Sequence, residues 1–311
     1  MGKDRLGILL ILLGMSFFSI QDVLIKIIIL DASLLQILVF RAFLGTIILA
    51  CFLYFTKRPI NFGSAYPAIA IFRGISFFIG FTLFYVSLTK ISLAEANSLF
   101  FVNPIFMTIF SVLILKHSIG LHRLGAIIIG LLGTLFIIKP SFNNFNWYML
   151  LPLITAISYA LGMTLSKMTS DKDSSFQQSF HIYLGGFIFG TLISIAISKN
   201  FITIENEQLK FLTNEWTFIN LNLIIPMLII AVTGTIGIFS LVSAYRIGSP
   251  QSNAPFEYVL LIYSLFTGYF IFDEVPDNLS LFGMILIILS GVYIFIRESI
   301  KDKLIASFKS R

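Results

Sequence analysis

Charge is scarce in this chain. Only 12% of its 311 residues are Asp, Glu, Lys or Arg, about half the share of an ordinary soluble domain. Cysteine is scarcer still. Cys51 is the single one, so no disulfide framework and no thiolate metal cluster is available. It lies in an apolar run and reads as lipid-facing or packed. The three histidines, His117, His122 and His181, show no metal-ligand spacing, and no metal is expected. The signals of soluble catalysis are missing as well. There is no phosphate-binding GxxxxGK loop, which argues against ATP as a driver. There is no HExxH pair and no nucleophile elbow. No soluble segment is large enough for an active site, so an enzyme is not expected and no cofactor is called for. No selectivity-filter sequence speaks for a channel.

What is present is apolar. Hydrophobic residues make up 57% of the chain and aromatics 15%, with 34 Phe, a composition suited to lipid-facing and interfacial surfaces. Ten apolar runs stand out, at roughly 6–28, 33–55, 66–88, 93–115, 121–139, 148–168, 176–198, 219–244, 252–272 and 279–297. A helix of about 20 apolar residues crosses a bilayer. The runs do not alternate polar and apolar residues as barrel strands do. The expected fold class is an all-α polytopic membrane protein of ten transmembrane helices. The first run is long for a signal peptide, and no small-residue cleavage site follows it, so a retained helix is expected.

Basic residues set the orientation. With the N-terminus inside, 14 of them fall in inside segments: Lys3, Arg5, Lys57, Arg58, Lys116, Arg123, Lys167, Lys172, Arg246, Arg297, Lys301, Lys303, Lys309 and Arg311. Five fall outside: Lys26, Lys90, Lys139, Lys199 and Lys210. Both termini are therefore expected in the cytoplasm of a cell whose inner membrane holds the protein. The acidic turn Asp273–Asp277 and the loop 199–218 then lie outside. The net charge of +6 reads as a topology signal, and nucleic acid is not an expected partner.

The chain repeats itself. At an offset of 158, Phe81, Leu83, Ala96, Leu121, Gly125, Ile127 and Gly133 find Phe239, Leu241, Ala254, Leu279, Gly283, Ile285 and Gly291. At an offset of 141, Leu12, Lys26, Ser33, Gln36, Gly45 and Ile47 find Leu153, Lys167, Ser174, Gln177, Gly186 and Ile188. The difference of 17 is extra length in the loop before the eighth run. The expected organisation is a first five-helix repeat over 1–141, a second over 147–298 and a basic cytoplasmic tail over 299–311. Five helices is an odd number, so the second copy must enter the membrane inverted. Inverted repeats that meet at mid-membrane are a transporter architecture.

Several blocks carry a resemblance. They are Gln21-Asp22-Val23 with Lys26, Phe40-Arg41, Phe72-Arg73-Gly74, Asn103-Pro104, and Ala254-Pro255 through Pro276-Asp277. On these residues the chain resembles the drug/metabolite transporter superfamily, in its EamA-type branch of five plus five helices. It looks most like the subgroup of S-adenosylmethionine uptake carriers and riboflavin importers. In that subgroup Arg usually follows Ala-Pro-Phe or Ala-Pro-Tyr; here Glu257 does. The resemblance implies a secondary carrier of a small organic solute, with a central cavity lined mainly by helices one, three, four, six, eight and nine.

Asp22 and Lys26 lie four residues apart, share a helix face and are expected to pair, either as an interfacial pair or as a gate or substrate contact. Arg41 falls near mid-depth in the second run. It reads as a structural ion pair, with capture of an anionic group as the alternative. Arg73, near the inside start of the third run, is expected to snorkel to the interface; an inner gate is the alternative. Glu95 and Glu257 open the fourth and ninth runs and are close to repeat equivalents. A protonatable group at each end of a cavity suits proton-coupled alternating access, while an acid at a helix start also complements the macrodipole. The dipole explanation is stronger for Glu95 and the coupling role for Glu257. Tyr85, Asn97, Asn103, Tyr245, Asn253, Tyr258 and Tyr263 offer neutral hydrogen-bonding groups, either as helix bridges or as a lining for a planar solute. Pro104 is expected to kink the fourth helix and serve as a gate candidate.

The expected function is secondary active transport of a small polar or aromatic metabolite, driven by a proton, another coupling ion or exchange. Uptake is the preferred direction. The alternatives are an exporter of amino acids or related metabolites, and a non-transporting membrane scaffold or receptor. The expected partners are the solute, the lipid bilayer and the coupling ion, and the protein is expected as a monomer or homodimer.

Overall fold

The structure is a computed structural model and describes residues 3–55, 62–115, 121–138, 146–199, 212, 216, 221–247 and 256–309. Its helices are α1 (Lys3–Ile28), α2 (Leu34–Phe55), α3 (Pro67–Ser87), α4 (Leu93–Phe100), α5 (Asn103–Leu115) and α6 (Leu121–Ile138) in the first half. The second half holds α7 (Leu151–Met168), entered through a short 3-10 turn, then α8 (Ser175–Ser198), α9 (Leu221–Ile247), α10 (Val259–Phe272) and α11 (Asn278–Lys309). No strand occurs among the described residues.

The apolar runs become helices, with two differences. The fourth run is not kinked but broken: α4 stops at Phe100, Phe101 and Val102 form a turn, and α5 restarts at Asn103. A proline at 104 has no N–H for the carbonyl of Phe100, so the helix ends there. Proline is well tolerated again in the first turn of the next helix. Pro104 thus starts a helix and does not bend one. The other difference is α11, which continues to Lys309 where a separate tail is expected. No Gly or Pro occurs between residues 292 and 309 to stop it.

Among the described residues, six helices are long and apolar enough to cross a membrane. Their surfaces fit lipid. On α1, Leu9, Leu13, Ile20 and Ile27 are exposed, while Ile11, Met15, Asp22 and Ile25 are buried on the other side. The spacing of each set follows the helical period.

The main packing partner of each helix lies in the other half. The chief pairs are α1 with α9, α3 with α7, α6 with α11, and both α2 and α3 with α8. The ends of the broken helix follow suit, α5 on α7 and α4 on α10. The core is therefore the seam between halves. The α6–α11 pair is tight because Gly133 and Gly283 face each other. A Cβ on Gly133 would come 2.7 Å from the Gly283 carbonyl oxygen, and one on Gly283 2.5 Å from that of Gly133. Small residues permit such backbone approach in membranes.

Candidate functional site

A cavity lies on the seam, lined by Phe18, Phe77, Phe81, Phe84, Phe100, Tyr85 and Tyr159 with Met15, Gly80, Ile238, Leu241 and Leu260. Three further lining residues, Asp22, Asn97 and Thr155, bring polar groups. Thr155 is spent on backbone carbonyls of Gly80 and Leu151, each at 3.0 Å. Asn97 is 1% exposed, and neither its oxygen nor its nitrogen has a partner.

Asp22 is one of two buried acids near the cavity. Its Oδ1 accepts from the Tyr85 hydroxyl at 2.9 Å, and that hydroxyl accepts from Gln21 Nε2. The acid is held between helices, 4% exposed. Arg41 on α2 is the electrostatic partner of Asp22. No carboxylate among the described residues comes within 4.0 Å of it, so the expected structural ion pair does not form. Its Cζ lies 4.2 Å from the Phe81 ring centroid and 5.6 Å from that of Tyr183. Its Nε and Nη2 have no hydrogen-bond partner although the residue is 4% exposed. A desolvated cation–π contact is worth about 2 kcal/mol, less than the several kcal/mol that an unpaired buried ion costs. Gly234 on α9 makes room here: a Cβ there would come 2.6 Å from Arg41 Nε.

Glu257 is the other buried acid, 1% exposed. It lies in the helical turn Phe256–Glu257 that leads into α10. Its Oε1 accepts from Tyr159 of α7 at 3.0 Å and from Tyr245 of α9. Asn103, at the start of α5, lies beside the carboxyl without a hydrogen bond of ordinary geometry, and Glu257 Oε2 has no partner. Glu257 does not line the cavity, but Tyr159 does, so one hydroxyl joins the acid to the cavity wall. Tyr258 points elsewhere: it donates to the Ile287 carbonyl at 3.4 Å and packs on Phe101.

The expected Asp22–Lys26 pair is replaced. Lys26 Nζ binds Glu274 Oε1 at 2.5 Å and lies 4.9 Å from the Phe272 ring centroid. The reason is the end of α10. Asp273 adopts a left-handed conformation, φ 53°, which Asp tolerates better than most residues. The Glu274 N–H then donates to the Gly268 carbonyl at 2.9 Å, a helix-ending bond. Glu274 Oε2 accepts from the Leu93 N–H at 3.2 Å. Through this one residue α1, α4 and α10 are tied together at one end of the bundle.

The opposite end is tied differently. Arg73 is fully buried and does not snorkel. It donates to Thr169 Oγ1 at 3.2 Å, with Asp173 as its electrostatic partner. Asp173 accepts from Ser64 Oγ at 2.6 Å and the Ala65 N–H at 2.9 Å. Gln178 Nε2 donates to the Ser166 carbonyl at 3.0 Å. An inward guanidinium finds a polar seat in the α7–α8 turn, which removes the need to reach the interface.

Glu95 is brought to neither acid. It forms a capping box with Ser92: the Ser92 N–H donates to Glu95 Oε2 at 3.1 Å and the Glu95 N–H to Ser92 Oγ at 3.1 Å. The helix-start explanation therefore holds for Glu95. Asp22, and not Glu95, is the second buried acid near the cavity. Asn253, with the Ala254-Pro255 motif, lies outside the described residues. Sequence reasoning passed over Tyr159 and Tyr183, and read Glu274 only as part of the acidic turn after the ninth run. A tyrosine near the middle of the sixth run was the available signal for Tyr159.

The profile of the EamA-like transporter family matches residues 5–139 and again 146–296. The chain belongs to that family. It is a multi-pass membrane transporter and not an enzyme. It is 26% identical over 294 residues to the S-adenosylmethionine uptake transporter of Rickettsia prowazekii (strain Madrid E), covering 94% of this chain and 93% of that protein. It is 27% identical to a transporter of the same description from Rickettsia bellii (strain RML369-C), covering 94% of each. Over 287 residues it is 23% identical to the pseudopaline exporter CntI of Pseudomonas aeruginosa, covering 92% of this chain and 94% of that one. A crystal structure at 11% identity superposes with a TM-score of 0.63 over 92% of this chain and 95% of the other, which speaks to fold alone.

Proposed function

We propose that this EamA-family chain is a secondary active transporter that takes up a small organic metabolite by alternating access, coupled to proton movement. The observation that carries the reading is the pair of buried acids at the seam. Asp22 lines an aromatic cavity beside Tyr85, and Glu257 sits behind Tyr159 of the same cavity. A buried carboxylate in a membrane protein is costly and marks a functional site. The two five-helix repeats, 1–141 and 147–298, are inverted relative to each other and rock about the seam. Lys26–Glu274 closes the outside and the Arg73–Thr169 network closes the inside, with both termini in the cytoplasm.

The solute is aromatic in part. Rings surround the cavity, and the unpartnered amide of Asn97 offers one donor and one acceptor to a planar edge. S-adenosylmethionine is the first solute to test, on the strength of the Rickettsia relatives. The test is flux into proteoliposomes under an imposed pH gradient. Accumulation that collapses with the gradient is expected. Accumulation indifferent to the gradient would remove proton coupling. The exporter relative makes direction worth measuring: counterflow from each side of oriented vesicles separates uptake from export.

A further inference from the structure

We infer that the solute is a zwitterion, and that Arg41 holds its carboxylate while Asp22 holds its cationic group. The inference rests on the transport reading above and names the class of solute. Four residues of the first half form a continuous chain of contacts beside the seam. Arg41 lies over Phe81, Phe81 stacks on Tyr85 with an interplanar angle of 9° and centroids 6.3 Å apart, and Tyr85 donates to Asp22. The two charges at its ends attract but do not touch, since no carboxylate among the described residues is within 4.0 Å of Arg41. An Arg that served only to hold helices would be expected to complete that pair.

Arg41 instead keeps Nε and Nη2 unpartnered while nine-tenths buried. It also faces space. A second, smaller cavity is lined by Arg41, Leu38, Ala42, Ile182 and Tyr183 and by Phe77 and Phe81. Phe77 and Phe81 also line the main cavity. The two spaces thus share an aromatic wall, with a guanidinium on one side and a carboxylate on the other. A guanidinium is the side chain best shaped for a carboxylate, binding it through two parallel N–H donors. A solute with both charges would neutralise both residues, and one with a cation alone would leave Arg41 unmatched.

The test needs no flux. Thermal unfolding of purified protein is followed with S-adenosylmethionine against its decarboxylated analogue, and with each common L-amino acid against its decarboxylated amine. Wild type should bind a carboxylate-bearing probe at least about 10-fold more tightly than its partner. Arg41→Gln should erase that preference while still binding the amine. A merely structural Arg41 would weaken both members of the pair alike. A preference that survives Arg41→Gln, or no stabilisation by any carboxylate-bearing probe, overturns the inference. A second variant keeps the charge beside Asp22. Arg41→Lys loses the two parallel N–H donors, so the preference for the carboxylate-bearing probe should shrink; an unchanged preference contradicts capture of the carboxylate by Arg41. Gradient-driven flux of a solute without a carboxylate would keep the transport reading and sink this one. Zwitterion binding without any flux would do the reverse.

Discussion

Asp22 and Glu257 are both buried acids held by tyrosine, but they face different things. Asp22 forms part of the cavity wall, accepts from Tyr85, and has a guanidinium as its electrostatic partner. Glu257 stands behind the wall, with one oxygen shared by Tyr159 and Tyr245. An acid on the wall can meet a solute. An acid behind a hydroxyl is reached by a proton passed along hydrogen bonds. On the proposed reading, the difference gives solute binding to Asp22 and coupling to Glu257, with Tyr159 as the link because it touches both the cavity and the acid.

The largest expected effect follows from Glu257. Glu257→Gln keeps the size of the side chain and removes its proton chemistry. Gradient-driven accumulation should fall to background while counterflow persists; wild-type accumulation would end the division of roles. Next comes Asp22→Asn, which should weaken binding of a cationic or zwitterionic solute by about 10–100-fold, as expected for removing one partner of a charge-assisted contact. Its remaining flux should keep the wild-type dependence on the pH gradient. A flattened dependence would show the roles reversed. Tyr159→Phe breaks the link and leaves Tyr245 on Glu257. Losing one hydrogen bond to a charged group costs about 1.5–3 kcal/mol, so coupled flux should drop by about 10- to 100-fold, and measuring pH-driven against exchange flux isolates the coupled part.

Glu95→Ala should do least. It removes half of a capping box, worth about 1 kcal/mol. A slightly lower unfolding temperature with an unchanged pH profile is expected. A changed profile would return Glu95 to the coupling machinery.

The sequence carried the architecture further than it carried the site. Run lengths revealed the helices, because burial in lipid demands long apolar stretches. Pro104 signalled a disturbance, but the choice between kink and break depended on how the neighbouring backbone was satisfied. Glu257 was recognisable as an acid where hydrocarbon makes acids expensive. Its partners were not, since Tyr159 and Tyr245 lie 98 and 12 residues away and on other helices. Helix faces were hard to read because lipid and protein interior are both apolar, so the hydrophobic pattern does not point inward as it does in water. The Asp22–Lys26 spacing was real and still misled. Lys26 found Glu274, 248 residues on, once the left-handed turn at Asp273 brought that carboxylate to the helix end.

The most direct test reconstitutes wild type and Glu257→Gln side by side and measures, in the same vesicles, counterflow of labelled solute and its accumulation under a pH gradient. Counterflow in both proteins with accumulation only in wild type is the predicted result. Equal accumulation in the two would contradict the claim that Glu257 couples the gradient to transport.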